Sequence, residues 1–152
     1  MDIVRFDDAG KKASIVRSIL EALPDWFGMP ESITEYVEQA RELPLWAAME
    51  AGQAVGFITA RPTAPAAVEI HCMGVLQPRH RAGIGRRLFE VLLEWAKAEG
   101  FLLVQVKTVA KGHYPEYDRT IAFYEKMGFS ELEVFPTLWD EWNPCLILVR
   151  AV

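Results

Sequence analysis

Between Gln77 and Arg87 the chain reads Q-P-R-H-R-A-G-I-G-R-R, with four arginines and one histidine but no acidic residue. A helical pattern begins inside this stretch, and a helix N-terminus exposes unpaired backbone N–H groups and a partial positive charge. Gly83 and Gly85 have no Cβ to hold a phosphate away from that backbone. Residue types and spacing therefore suit an anionic, phosphate-bearing ligand. A tight turn with solvent-facing arginines would use the same residues, so the stretch alone leaves both readings open. Two other phosphate binders are excluded. Leu88 stands where G-x-G-x-x-G needs its third glycine, and G-x-x-x-x-G-K-[ST] occurs nowhere, Gly10-Lys11-Lys12 included.

The elements that must position this stretch follow from periodicity. Val68 to Val75 reads as a strand before it, with Glu69, His71, Met73 and Val75 on one face and Val68, Ile70, Cys72 and Gly74 on the other. Neither face is strongly charged, which places the strand centrally. After it, Ile84, Leu88, Val91, Leu92 and Trp95 form a helical stripe that stops near Gly100. Upstream lie an apolar opening (Ile3, Val4, Phe6), a helix over Lys11 to Leu23, and another over Glu31 to Arg41. Leu45 to Met49 and Ala54 to Ala60 read as a hairpin around Glu50-Ala51-Gly52-Gln53, and Pro62 and Pro65 mark the next turn. Phe101 to Val106 is an apolar strand, and Thr120, Phe123, Tyr124 and Met127 make a helical face ending at Gly128. Phe129 to Phe135 and Cys145 to Val149 close the sheet, joined by a loop carrying Trp139, Trp142 and Pro144. The order is α/β with a mixed sheet.

Composition bounds the function. A chain of 152 residues, 51% hydrophobic and 24% charged, is one globular domain. Sixteen Lys and Arg against 21 Asp and Glu give a net charge of −5, which disfavours holding nucleic acid by bulk charge. Cys72 and Cys145 are too few for a disulfide scaffold and too far apart for a structural zinc site, so they are expected as buried thiols with no metal. The opening M-D-I-V-R-F-D-D is acidic where a secretory signal is basic, and no apolar run is long enough to span a membrane. A cytoplasmic protein without membrane or nucleic-acid partners is expected.

The segment V-L-Q-P-R-H-R-A-G-I-G-R-R-L, Val75 to Leu88, resembles motif A of the GNAT superfamily of N-acetyltransferases. R-T-I-A-F-Y-E-K-M-G-F, Arg119 to Phe129, resembles that superfamily's motif B. The resemblance implies a single domain over residues 1–152, with a mixed, mostly antiparallel sheet of six to seven strands, flanking helices and a V-shaped splay between strands 4 and 5. It further implies an acetyl-CoA or acyl-CoA ligand. The pyrophosphate would lie on backbone from His80 through Arg81, Ala82, Gly83, Ile84 and Gly85 to Arg86, and Val75 would offer its N–H to the thioester carbonyl. His80 stands where the family commonly has Gln or Arg, while Tyr117 and Thr120 stand where motif B often has Asn and Ala.

Acyl transfer to an amine requires that a proton be removed, because an alkyl amine of pKa ~10.4 is almost wholly protonated at pH 7. Glu69, six residues before Val75, resembles the base position of some GNAT enzymes. It is the expected base, directly or through water, with His71 second. A strand carboxylate satisfied by an arginine is the alternative. Tyr124 matches the family's tyrosine that protonates the leaving thiolate, its alternative being core packing. The acceptor, a small-molecule or peptide amine, is expected beside Trp26, Phe27, Trp139 and Trp142, with Asp140 and Glu141 to attract it and His113 and Tyr114 nearby. An acyl-CoA-binding module without turnover is the rival reading, and Leu146 to Val149 is the expected contact of a homodimer.

Overall fold

The computed structural model describes all residues, 1–152. Seven strands form one sheet: β1 (Asp2–Phe6), β2 (Leu45–Glu50), β3 (Gln53–Ala64), β4 (Ala67–Val75), β5 (Leu103–Val109), β6 (Ser130–Asp140) and β7 (Asn143–Ala151). Their order is β1-β2-β3-β4-β5-β7-β6, and every neighbouring pair is antiparallel except β4 with β5. The helices are α1 (Ala9–Glu21), α2 (Pro30–Ala40), α3 (Ile84–Ala98) and α4 (Pro115–Lys126). Asp8 caps α1 by accepting from the Lys11 N–H at 2.8 Å, and proline at the first position of α2 and of α4 costs no hydrogen bond there. None of these helices is long and apolar enough to cross a membrane.

Helices cover both faces. On one side α3 and α4 bury Leu88, Leu92 and Ile121 against Ile58, Ile70, Val104 and Leu148. On the other, α1 and α2 bury Val16, Ile19 and Val37 against Leu45, Phe57 and Cys72, residues of β2, β3 and β4 alone. This asymmetry leaves β5, β7 and β6 without a helix on the α1/α2 side.

Two irregularities shape the centre. β4 and β5 pair only from Ala67↔Leu103 to Glu69↔Gln105, after which the strands part and open the expected splay. Opposite, Thr59 faces Cys72 and Ala60 faces Ile70, so His71 is an extra residue, a β-bulge. The bulge corrects the expected alternation. Val68 and Ile70 share the α3/α4 side with Met73 and Val75, while Glu69 and His71 turn to the side of α2, as does Cys72. A period of two carries across a strand only while the register is unbroken.

Three smaller expectations are also corrected. Pro62 lies within β3, opposite Val68, and the turn is made by Pro65 and Ala66. Trp139 belongs to β6, and only Glu141 and Trp142 form the connection to β7, because the Asp140 carboxylate accepts from the N–H groups of both Trp142 and Asn143 at 2.9 Å. Leu146 to Val149 lies in β7, an interior strand paired on both sides with Leu146 and Leu148 buried, so it offers no free strand edge; the sheet ends at β1 and β6.

Candidate active site

The connection from β4 to α3 runs through a single 3-10 turn, Gln77–Arg79, and then takes up left-handed backbone at Arg81 (φ 67) and Gly83 (φ 79). These reversals turn the peptide groups outward. The N–H groups of Arg81, Gly83, Ile84, Gly85 and Arg86 find no acceptor within the chain. A Cβ at Gly83 would meet nothing within 4 Å, so the space before these amides is open. Gly85 serves a different purpose from the one expected: its Cβ would lie 2.9 Å from Phe123 Cζ and 3.0 Å from Met73 Cε, so it lets α3 pack on α4. Of the four arginines, Arg79 is held by Glu50 at 2.6 Å and Arg87 reaches the Met1 carbonyl at 3.4 Å. Arg81 and Arg86 have no protein partner. Unpaired amides, a helix N-terminus and two free guanidinium groups fit the diphosphate of CoA.

Beside this cradle the strand end is prepared for a ligand. The Leu76 N–H bonds the Val55 carbonyl on β3, so by alternation the peptide edge of Val75 faces the splay. The Val75 carbonyl there meets His80 Nε2 at 2.7 Å. The His80 ring also lies edge-on to Trp26, with centroids 5.5 Å apart. Trp26 in turn donates from Nε1 to the Glu116 carbonyl at 3.2 Å, and Tyr117 donates its hydroxyl to the Trp26 carbonyl at 2.6 Å. The loop after α1 is thus tied to the start of α4 across the cleft.

Tyr124 is buried between Phe123 and Phe129, and its hydroxyl meets only Met73 Sδ, at 4.0 Å. Burial raises its phenol above the ordinary value, so it keeps its proton at neutral pH. A hydroxyl with no strong partner is free to donate to one that arrives.

On the α2 side of β4, Glu69 is 3% exposed and surrounded by cations. Arg61 contacts its Oε1 at 2.7 Å, Lys107 its Oε2 at 3.0 Å, and His71 Nδ1 lies 3.8 Å from Oε1. Burial alone would raise the carboxyl, but the neighbouring His71, the hydrogen bond from Lys107 and the charges of Lys107 and Arg61 bring it down to about 2. His71 Nε2 lies 2.6 Å from Gln39 Oε1, and its ring packs edge-on against Tyr36. Phe27 packs on the other edge of Tyr36, whose hydroxyl is raised by burial and then by Cys72 and Tyr117.

The structure therefore gathers Glu69 with His71, Val75 with His80, Trp26 with Tyr117, and Phe27 near His71 through Tyr36. Trp139 and Trp142 stand apart, exposed at the hairpin tip and stacked on no other ring. His113 is exposed before α4, and Tyr114 packs on Tyr117. Tyr36, Gln39, Arg61 and Lys107 were not expected from sequence. Arg61 and Lys107 were legible only as charged residues in apolar strands, a pattern that asks for a buried counterion.

Comparisons agree with the geometry. Residues 14–129 match the family model described as Acetyltransferase (GNAT) family. A protein from Desulfovibrio desulfuricans assigned to the GNAT family shares 20% identity over 99% of this chain and 98% of its own, with TM-score 0.87. An aminoglycoside 6'-acetyltransferase type Ii shares 24% over 99% and 97%, with TM-score 0.79. An aminoglycoside 6'-N-acetyltransferase complexed with coenzyme A shares 22% over the same fractions, 99% and 97%, with TM-score 0.76. No curated protein matches the chain. The likeness of fold and the family match over most of the sequence lead to one conclusion: the chain belongs to the GNAT family of acetyltransferases, acyl-CoA-dependent enzymes of the transferase class.

Proposed function

We propose that the protein transfers an acetyl group from acetyl-CoA to the primary amine of a small molecule or peptide, by direct attack. The observation that carries this is the set of unpaired amides at Arg81 and from Gly83 to Arg86 beside a splayed strand end, with a protonated tyrosine behind it whose hydroxyl meets only a sulfur. Acetyl-CoA supplies an activated acyl group as a thioester. Around it, Arg81, Gly83, Ile84, Gly85 and Arg86 bind the diphosphate through backbone, with His80 and Ala82 completing the loop, and Val75 presents its N–H to the acyl carbonyl. Tyr117 acts on the ligand indirectly, by fastening Trp26.

The amine arrives on the α2 side, where the bulge presents His71. Glu69 is the weaker candidate for direct proton removal, since a carboxyl held at about 2 binds a proton poorly near pH 7. His71 takes the proton at Nε2 once the acceptor displaces Gln39 from that nitrogen, with Glu69 facing Nδ1. Tyr124 gives its proton to the departing thiolate. Trp26 and Phe27 line the acceptor side, and Trp139 and Trp142 bound it only from the hairpin tip.

The deciding experiment is CoA thiol release on addition of amines to the protein with acetyl-CoA. Release that depends on acceptor supports the reading. Tight CoA binding with no release for any amine would leave a binding module instead.

A further inference from the structure

We infer that the acceptor amine also carries a carboxylate or similar anion, recognised by Lys107 and Arg61. This rests on the acetyltransferase reading and specifies its substrate class.

Two cations converge on one carboxylate. Glu69 is nearly inaccessible, whereas the side chains of Arg61 and Lys107 are 42% and 26% exposed and reach it from strands on either side of β4. Arg61 uses Nε and Nη2 on the same oxygen, at 3.1 and 2.7 Å, which leaves Nη1 free. Lys107 makes one contact and has further ammonium hydrogens to give. One negative charge against two positive leaves the cluster net cationic, and the excess lies on the accessible residues.

The location matters as much as the charge. Lys107 lies on β5 just past Gln105, the last residue paired to β4, so its ammonium spans the mouth of the splay to reach Glu69. No helix covers β5 on that side. An acceptor at His71 therefore has Lys107 and Arg61 as its nearest accessible charges on β5 and β3, the Glu69 between them being buried. Two further carboxylates flank this region: Glu35, on α2 and exposed, acts on Tyr36, and Glu133 on β6, also exposed, shares a cross-strand row with Lys107 through Ile147. A polycation is repelled at such an entrance, whereas an amine tethered to an anion is drawn in with its amine beside His71.

The anion could belong to a free amino acid or to an acidic side chain following a peptide N-terminus, and the probes separate the two. Thiol release is followed with aspartate and glutamate against asparagine and glutamine, with peptides bearing Asp or Asn at the second position, and with spermidine and kanamycin. For the preferred scaffold, kcat/KM is expected to exceed that of the amide partner by about tenfold or more. Lys107→Gln should erase the preference through KM, and Lys107→Arg should restore it. The acid and amide comparison needs only the wild-type chain, so it decides even if a variant fails to fold. Equal use of acid and amide, or better use of spermidine or kanamycin, overturns the inference and leaves acetyl transfer standing. No release with any amine, while calorimetry shows CoA binding, overturns both.

Discussion

The Val75 carbonyl and the His80 imidazole meet at 2.7 Å, closing a five-residue loop between the end of β4 and the cradle before α3. His80 thereby fastens the loop to the strand while its neighbour Arg81 is held in left-handed backbone. Removing this bond should loosen the cradle. His80→Ala is expected to weaken CoA affinity about fivefold, the equivalent of about 1 kcal/mol for one hydrogen bond, as read by calorimetry. Unchanged affinity would show that the loop holds itself.

Gly83 and Gly85 should fail differently. At Gly83 the strain is conformational and the space empty, so Gly83→Val should lower CoA affinity by tenfold or more, roughly the effect of forcing a β-branched residue into that backbone beside the ligand. At Gly85 the obstacle is Phe123, so Gly85→Ala should lower Tm by several degrees, about 1 to 3 kcal/mol of overpacking. Thermal unfolding and CoA titration of both variants separate the roles.

Tyr124→Phe removes a hydroxyl whose one contact is a sulfur at 4.0 Å, so stability should change by less than about 1 kcal/mol. Turnover should fall about a hundredfold when chemistry limits the rate, the usual scale for losing a general acid. Full turnover with unaltered Tm would assign Tyr124 to packing alone.

Glu69 should leave a signature in acid. Its carboxyl is near 2 in the folded chain against an ordinary 4.5, so the unfolded chain binds more protons between those values. Stability from the ion-paired carboxylate is therefore complete above about pH 4.5 and disappears as pH falls through 2. It is worth a few kcal/mol, on the order of two pH decades of differential binding. Denaturant midpoints should fall over that window in the wild type, and Glu69→Gln should start lower at neutral pH and lack this share of the fall.

Sequence patterning carried far where packing is local and failed where it depends on a distant partner. The stripe from Ile84 to Trp95 declared α3 because its buried face repeats along one element. The parity of β4 was lost at His71, since a bulge is set by Thr59 and Ala60 on the neighbouring strand. Motif residues predicted the cradle, yet nothing local showed that Gly85 answers to Phe123, or that Lys107 would reach Glu69 from 38 positions away. The hairpin at Trp139 was hidden for a related reason. Its aromatic and turn-forming residues suit a loop, and the extended β6 is held by pairing to β7 that no single segment reveals.

The brief parallel seam, Ala67 to Glu69 against Leu103 to Gln105, divides the sheet into two rafts, one of four strands and one of three. Beneath them a shared floor of side chains under α3 and α4 keeps the rafts from drifting, while above the seam they are latched by Lys107 to Glu69 and by Gln105 to Thr63 at 2.9 Å. Mechanically the molecule is a clasp whose rivets sit at one end. Towards the other end nothing pairs β4 to β5, so the gap there is held by that shared floor and by each strand's outer neighbours alone.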